Sequence, residues 1–131
     1  MSRNFINDGS VVSYLPSIPV SSGSIGLYDG IIGVSINAVT AAQIADANIP
    51  TSIKTVSVNT QDVYAVLCTE STDVSKGDLL YLDDTITPLL SGVKKSGTYF
   101  AGTALGEKFV DADGLTVVEI AVNKNLSGLE I

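Results

Sequence analysis

The sequence predicts an all-β fold, a small antiparallel β-sandwich or barrel with one short helix near residues 41–48. Val, Ile and Thr together supply 38 of the 131 residues, and a branched Cβ favours the pleated surface of a sheet. Short apolar runs alternate with Gly, Asn, Asp and Ser at the spacing typical of sandwiches and barrels. A chain of this length corresponds to one domain, which buries enough surface to fold without disulfide bonds.

The first twenty residues differ from the rest of the chain. Residues 10–22 are rich in apolar side chains but contain Pro16 and Pro19, and a proline has no N–H to donate to a strand ladder. We therefore predict an extended N-terminal arm or edge strand over residues 1–20, followed by a single β domain over residues 21–131.

Two local signals predict a tight turn and the helix. The pair Asp29-Gly30 supplies the positive backbone angles that a hairpin turn requires. Thr40 and Gln43 have the spacing of a capping box, in which the hydroxyl caps the helix and the amide reaches back. Pro50 ends the helical segment.

The remaining apolar runs predict strands. Residues 63–69 form the most continuous of these runs, which predicts a strand in the centre of a sheet. Pro88 marks one other run as an edge strand or a bend. The further strands are predicted over residues 31–36, 79–82, 86–90, 99–105 and 115–122.

Charge argues against two classes of partner. The chain has 7 basic and 14 acidic residues, a net charge of −7, and no basic cluster larger than Lys94-Lys95. Nucleic acids and anionic membranes both attract basic surfaces, so we expect neither as a partner. Charged residues make up only 16% of the chain, against about 25% in a typical soluble domain. The surface is therefore either partly covered by another protein or simply neutral.

The residue types exclude the commonest catalytic and metal sites. The chain has no histidine and a single cysteine, which removes Ser-His-Asp and Cys-His catalysis and Cys-rich zinc sites. Cys68 follows an apolar run, so we predict a buried and unreactive thiol. We predict no catalytic residue, no cofactor site and no metal site.

Two close carboxylate pairs are the only candidates for acid–base chemistry. Asp83-Asp84 are adjacent, and neighbours on a strand point to opposite faces. Asp111 and Asp113 resemble part of a calcium loop but lack its remaining ligands. Because Asp-rich dipeptides are common in turns, we assign both pairs to turns.

Five motifs, which combine glycine turns with short apolar strands, occur in a fixed order along the chain. They are Asp8-Gly9-Ser10-Val11-Val12 with Pro16, Val20-Ser21-Ser22-Gly23, Gly30-Ile31-Ile32-Gly33-Val34, Lys76-Gly77-Asp78-Leu79-Leu80-Tyr81-Leu82-Asp83, and Gly102-Thr103-Ala104-Leu105-Gly106 before a last apolar strand. Over residues 5–123 this order resembles the capsid decoration (cement) proteins of tailed bacteriophages and prophages, a family long catalogued as a domain of unknown function. The chain departs from the pattern in a longer segment at residues 38–54 and in Asp62, where the resemblance predicts a Gly.

The resemblance implies a structural role in the virion and no enzymatic activity. It implies a protein made in the host bacterial cytoplasm that binds the outside of the assembled capsid shell and stabilises it. Its partners would be the major capsid protein and further copies of itself, as a trimer or dimer. An extended segment can add to an exposed sheet edge, so Phe5, Ile6, Tyr14 and Leu15 are predicted to contact the shell.

Two alternatives remain open from the sequence. The chain is compatible with another virion component, a head fibre or tail protein involved in host attachment. A small hydrolase would require two carboxylates facing each other across a pocket.

Overall fold

The computed structural model describes residues 11–87 and 89–126, which form two antiparallel sheets, one short helix and one 3-10 turn. The all-β prediction is confirmed. The elements are β1 (Val11–Tyr14), β2 (Ile25–Tyr28), β3 (Ile31–Ser35), α1 (Ala41–Ala45), the 3-10 turn Thr51–Ile53, β4 (Val56–Asn59), β5 (Val63–Leu67), β6 (Leu79–Leu82), β7 (Val93–Lys94), β8 (Phe100–Ala104), β9 (Phe109–Val110) and β10 (Thr116–Val122).

The first sheet has four strands in the order β1-β4-β3-β2. Strands β2 and β3 form a hairpin in which Tyr28 pairs with Ile31. The two residues between them, Asp29 and Gly30, have φ values of 53° and 82°, the positive values of the predicted hairpin turn. Strand β1 lies at the sheet edge beside β4, which confirms an edge strand in this part of the chain.

The second sheet has six strands, with the order β5-β10-β8-β6-β7 and β9 paired to β10. Strand β10 is the longest, with seven residues, and pairs with three others. An isolated parallel bridge joins Cys68, just after β5, to Val93 of β7. The two ends of the sheet therefore meet at one point, and the sheet curls towards a barrel.

The four-stranded sheet contributes side chains to a core on each of its faces. One face packs on the six-stranded sheet, where Ile25 and Val34 meet Val66 and Ile120 in the larger core. The other face carries a smaller core, with Val56 and Val58 among its members and residues of helix α1 and neighbouring loops packed against it. Alternate side chains of one strand point to opposite faces, so this middle sheet contributes to both cores.

The predicted capping box is present at the start of helix α1. The Thr40 hydroxyl accepts a hydrogen bond from the Gln43 N–H at 3.2 Å, and Gln43 Oε1 accepts one from the Thr40 N–H at 2.9 Å. The helix ends at Ala45 with Asp46 as its C-cap, so it is shorter than the predicted segment at residues 41–48. Its Ile44 packs against the smaller core.

Two strand predictions were wrong. Residues 63–69 were expected in the centre of a sheet, but β5 is an edge strand and only its Val66 is buried. The described residues of the segment 86–90 form no strand, and the Leu90 N–H donates to the Ile86 carbonyl at 2.6 Å. A continuous apolar run does not distinguish a strand covered on both sides from one with an exposed face, which explains the first error.

Candidate functional site

Of the four residues predicted to contact a shell, the structure describes two, Tyr14 and Leu15. Phe5 and Ile6 lie outside the described residues. Tyr14 is half-buried, and its ring packs edge-to-face on Tyr28 with 5.2 Å between the centroids. Leu15 is 55% exposed. Tyr14 is thus fixed to the smaller core, while Leu15 presents an apolar side chain to solvent directly beside it.

Burial raises the pKa of Tyr14, and the nearby carboxylate of Asp29 raises it further. The phenol is therefore neutral at physiological pH and adds no charge to this surface.

The described part of the predicted arm is built into the domain. Val11 to Tyr14 pair with β4, and Pro16 is buried. Val20 exchanges two backbone hydrogen bonds with Val39, both 2.9 Å long. A contact made through residues 11–20 would therefore be rigidly connected to the smaller core.

Asp83 is a buried structural carboxylate. It is 6% exposed and accepts hydrogen bonds from the hydroxyls of Thr85 at 2.6 Å and Thr69 at 2.7 Å. Chiefly these hydroxyls, with the Thr85 N–H and the Lys94 ammonium 3.8 Å away, lower the pKa of Asp83 to about 2. Asp84 is exposed, so the adjacent pair does not form two carboxylates facing one pocket. The predicted turn role is confirmed.

The second carboxylate pair also forms a turn. Asp111 Oδ1 accepts hydrogen bonds from the N–H groups of Asp113 at 2.9 Å and Leu115 at 3.0 Å. Gly114 completes the turn with a φ of 81°. Within residues 11–87 and 89–126, no group of three or more His, Cys, Asp or Glu side chains is placed to hold a metal ion. Cys68 is buried, as predicted.

A groove of about 470 Å³ lies beside β5. One group of its lining residues is apolar and belongs to β5, β10 and the residue before β10. A second group consists of serines from the loop before β2 and from the segment before β7. Among the described lining residues, only two are charged, and both are carboxylates. The apolar group is Ala65, Leu67, Leu115 and Val117, the serines are Ser21, Ser22, Ser24 and Ser91, and the carboxylates are Asp111 and Asp113.

Sequence reasoning did not find this groove. It exists because β5 lies at a sheet edge, whereas the apolar run at residues 63–69 predicted a central strand. The one available signal was the pair Asp111 and Asp113, which indicated a turn but not which residues lie next to it.

Comparisons of the chain with protein-family models, with curated proteins and with solved structures found no match. In the part of the chain that the structure describes, no helix is long and apolar enough to cross a membrane.

Proposed function

We propose that this chain is a capsid decoration protein of a tailed bacteriophage or prophage, which binds the outside of the assembled shell and stabilises it. The observation that carries the proposal is the order of the five turn-and-strand motifs. Their positions are consistent with the structure: Gly30 precedes β3, Gly77 is separated from β6 by one residue, and the run from Gly102 begins in β8 and extends two residues past its end.

The surface around Leu15 supports a role in docking. Leu15 follows an edge strand and is 55% exposed, while Tyr14 holds the same segment against the smaller core. An edge strand can accept a further strand from a partner. Our proposal is that residues 2–20 contact the major capsid protein, with Phe5, Ile6, Tyr14 and Leu15 as the anchoring side chains.

Stabilisation would follow from mass action. A protein that binds the assembled shell and not its separate subunits shifts the equilibrium towards the shell. The shell presents many equivalent sites, so a modest contact energy per copy is multiplied over the particle, and contacts between copies as a dimer or trimer add to it.

The test is binding to shells assembled from the major capsid protein of the same phage, measured by co-sedimentation. Two variants address the contact: deletion of residues 2–10, which leaves β1 intact, and Leu15→Asp. Each is expected to weaken binding by about tenfold or more, since a buried leucine contributes roughly 1.5–3 kcal/mol and about 1.4 kcal/mol is a factor of ten. Val110→Asp is the matched control, because Val110 is 66% exposed on the other sheet.

Unchanged binding by both variants would refute the assignment of the contact to residues 2–20. If wild-type protein fails to bind shells at all, the decoration role itself is wrong. Electron microscopy of virions separates the alternative, because a head fibre or tail protein would lie at few, localised positions instead of covering the shell.

A further inference from the structure

The hydrogen bonds of β5 determine which of its backbone groups are paired. The Cys68 N–H donates to the Thr116 carbonyl at 2.9 Å, and the Val122 N–H donates to the Asp62 carbonyl at 3.0 Å. Bonding alternates along an antiparallel pair, so the even-numbered residues of this strand face β10. The N–H and C=O groups of the odd-numbered residues point the other way.

The outward side of Val63 and Ala65 is open. No strand of the described chain pairs with it, and β7 covers only the end of this edge, where the Thr69 N–H donates to the Val93 carbonyl at 2.9 Å. Val63 is 53% exposed and Ala65 is exposed. Two successive outward-facing residues therefore offer unpaired backbone donors and acceptors to a partner.

This edge lacks the usual protection against pairing. Edge strands are commonly blunted by a lysine, a proline or a bulge. At the opposite end of the same sheet, β7 carries Lys94 and is followed by Lys95. Strand β5 has neither a charged residue nor a proline over Val63–Leu67. Of these two edges of the sheet, that of β5 has no charged side chain on the strand itself, and the charged residue beside it, Asp62, is acidic and not basic. It is therefore the edge better suited to accept a strand that carries a positive charge.

The groove beside this edge indicates the chemistry of the occupant. Ala65, Leu67 and Leu115 provide an apolar wall, while the serines opposite provide hydroxyls. The charged groups of the described lining are Asp111 and Asp113, so a segment that fills the groove meets negative charge in the turn between β9 and β10. A lysine or arginine in that segment would complement this charge.

A second copy of this chain fits the site poorly. It would bring the same net charge of −7 and the same acidic turn. In a symmetric pairing centred on Ala65, Val63 would lie opposite Leu67 of the second copy. The bridge from Cys68 to Val93 blocks the strand edge just beyond that position. Charge and geometry both favour a different chain.

We infer that the open edge of β5 and its groove bind an extended segment of another protein as an added strand. The segment is rich in small or β-branched residues, and its one charged side chain is a Lys or Arg that reaches Asp111 and Asp113. Backbone hydrogen bonds to Val63 and Ala65 hold the segment, and the acidic turn selects its charge. The site is separate from the Leu15 surface and does not depend on shell binding.

The experiment measures fluorescence polarisation of labelled, end-blocked peptides with the full chain at low ionic strength. The first probe is an alternating Thr-Val hexapeptide with arginine as its last residue. The second carries glutamate in place of the arginine, and the third has alternate backbone amides methylated. We expect saturable binding of the arginine peptide, binding at least about tenfold weaker for the glutamate peptide, corresponding to one charge pair of about 1.4 kcal/mol, and loss of binding for the methylated peptide.

Variants of the protein locate the binding. Ala65→Pro removes an outward N–H at an edge position that tolerates proline, and Ala65→Lys places a charge on the same edge if the proline variant does not fold. Both are expected to abolish binding of the arginine peptide. Asp113→Asn is expected to weaken binding of the arginine peptide but not to weaken binding of the glutamate peptide. Ile53→Lys, at a position that is 63% exposed and lies outside both proposed binding surfaces, is the matched control and should bind as wild type does.

Three results would overturn the inference. One is equal affinity of the arginine peptide for the Ala65→Lys and Ile53→Lys variants. Another is the absence of saturable binding to wild-type protein. The third is a concentration-dependent dimer, seen by sedimentation equilibrium and lost in Ala65→Lys, which would assign the edge to a second copy of this chain.

Discussion

Replacing Asp83 with asparagine tests how a buried carboxylate stabilises this fold. Asp83 follows the last residue of β6. Its hydrogen bond with Thr69 connects it to the segment after β5, and its hydrogen bond with Thr85 connects it to the turn after β6. They lower the pKa of Asp83 from 3.8 to about 2. A depressed folded-state pKa contributes stability above the unfolded pKa and loses it as pH falls through the folded value. The shift corresponds to about 2 kcal/mol at about pH 5.5 and to less than about 0.5 kcal/mol at about pH 2.

Asp83→Asn keeps the shape of the side chain but never ionises. At about pH 5.5 the variant should be less stable than wild type by about 2 kcal/mol, and near pH 2 the difference should almost vanish, because protonated aspartate is as neutral as asparagine. Urea unfolding followed by tyrosine fluorescence and far-ultraviolet circular dichroism gives both values. The comparison with the variant is needed because Glu70 also has its pKa lowered to about 2, chiefly by the Lys95 N–H and the Thr72 hydroxyl, and contributes to the acid response of both proteins.

Asp84→Asn is the control, since Asp84 is exposed next to Asp83. Its change in stability should stay within about 0.5 kcal/mol at every pH, as for most surface substitutions. If Asp83→Asn destabilises the protein equally at about pH 5.5 and about pH 2, the ionised carboxylate is not the stabilising species and the reasoning fails.

Three further substitutions or reactions probe the packing. Gly102→Ala would place a Cβ against the carbonyl oxygen of Ala121, so we expect a loss of roughly 3 kcal/mol or more in urea unfolding; a loss below about 1 kcal/mol would contradict the close packing of β8 on β10. Thr40→Ala removes the helix cap and should lower the free energy of unfolding by about 1 kcal/mol. An unchanged urea midpoint would show that α1 is not stabilised by its cap. The buried thiol of Cys68 should react with Ellman's reagent only when the protein is unfolded, and rapid labelling of native protein would contradict its burial.

Local sequence signals predicted local structure well. Asp29-Gly30 adopts the two positive φ values of a hairpin turn, and Thr40 with Gln43 forms the capping box. Both depend on the conformational preferences of a few adjacent residues, which act in the same way in any fold. The fold class followed for a similar reason, because β-branched residues are favoured on sheets regardless of topology.

The position of a strand within a sheet could not be predicted from the sequence. Val63–Leu67 is apolar on both faces, yet Val63 and Ala65 lie at the surface because no described strand covers the outer side of β5. Which strands neighbour one another is decided by long-range pairing, and the periodicity of a single segment contains no information about it. The candidate groove depends on that pairing, so the sequence indicated the residues around Asp111 but not the site they help to form.

Asp62 shows how a departure from the expected pattern can satisfy the same backbone requirement. The resemblance predicts a glycine at this position, and Asp62 has a φ of 78°, in the region that glycine adopts without strain. Its carboxylate accepts a hydrogen bond from Asn59 Nδ2 at 3.0 Å. Aspartate is among the few residues that tolerate this conformation because its side chain bonds locally. The turn from β4 to β5 therefore requires a positive φ, and either residue meets that requirement.

The charge balance of the chain disfavours pairing between the open, apolar β5 edges of two copies. Two copies that approach edge to edge each carry a net charge of −7, and like net charges repel over a screening length of about 8 Å at physiological ionic strength. The same charge attracts a cationic segment, which gains both the backbone hydrogen bonds of β5 and the complementary charge of Asp111 and Asp113. At this edge the acidic turn of Asp111 and Asp113 adds a local repulsion between two β5 strands, so any contact between copies uses other surfaces. Because β5 has no lysine or arginine, its edge does not repel a basic partner, while it still disfavours another copy of this acidic chain.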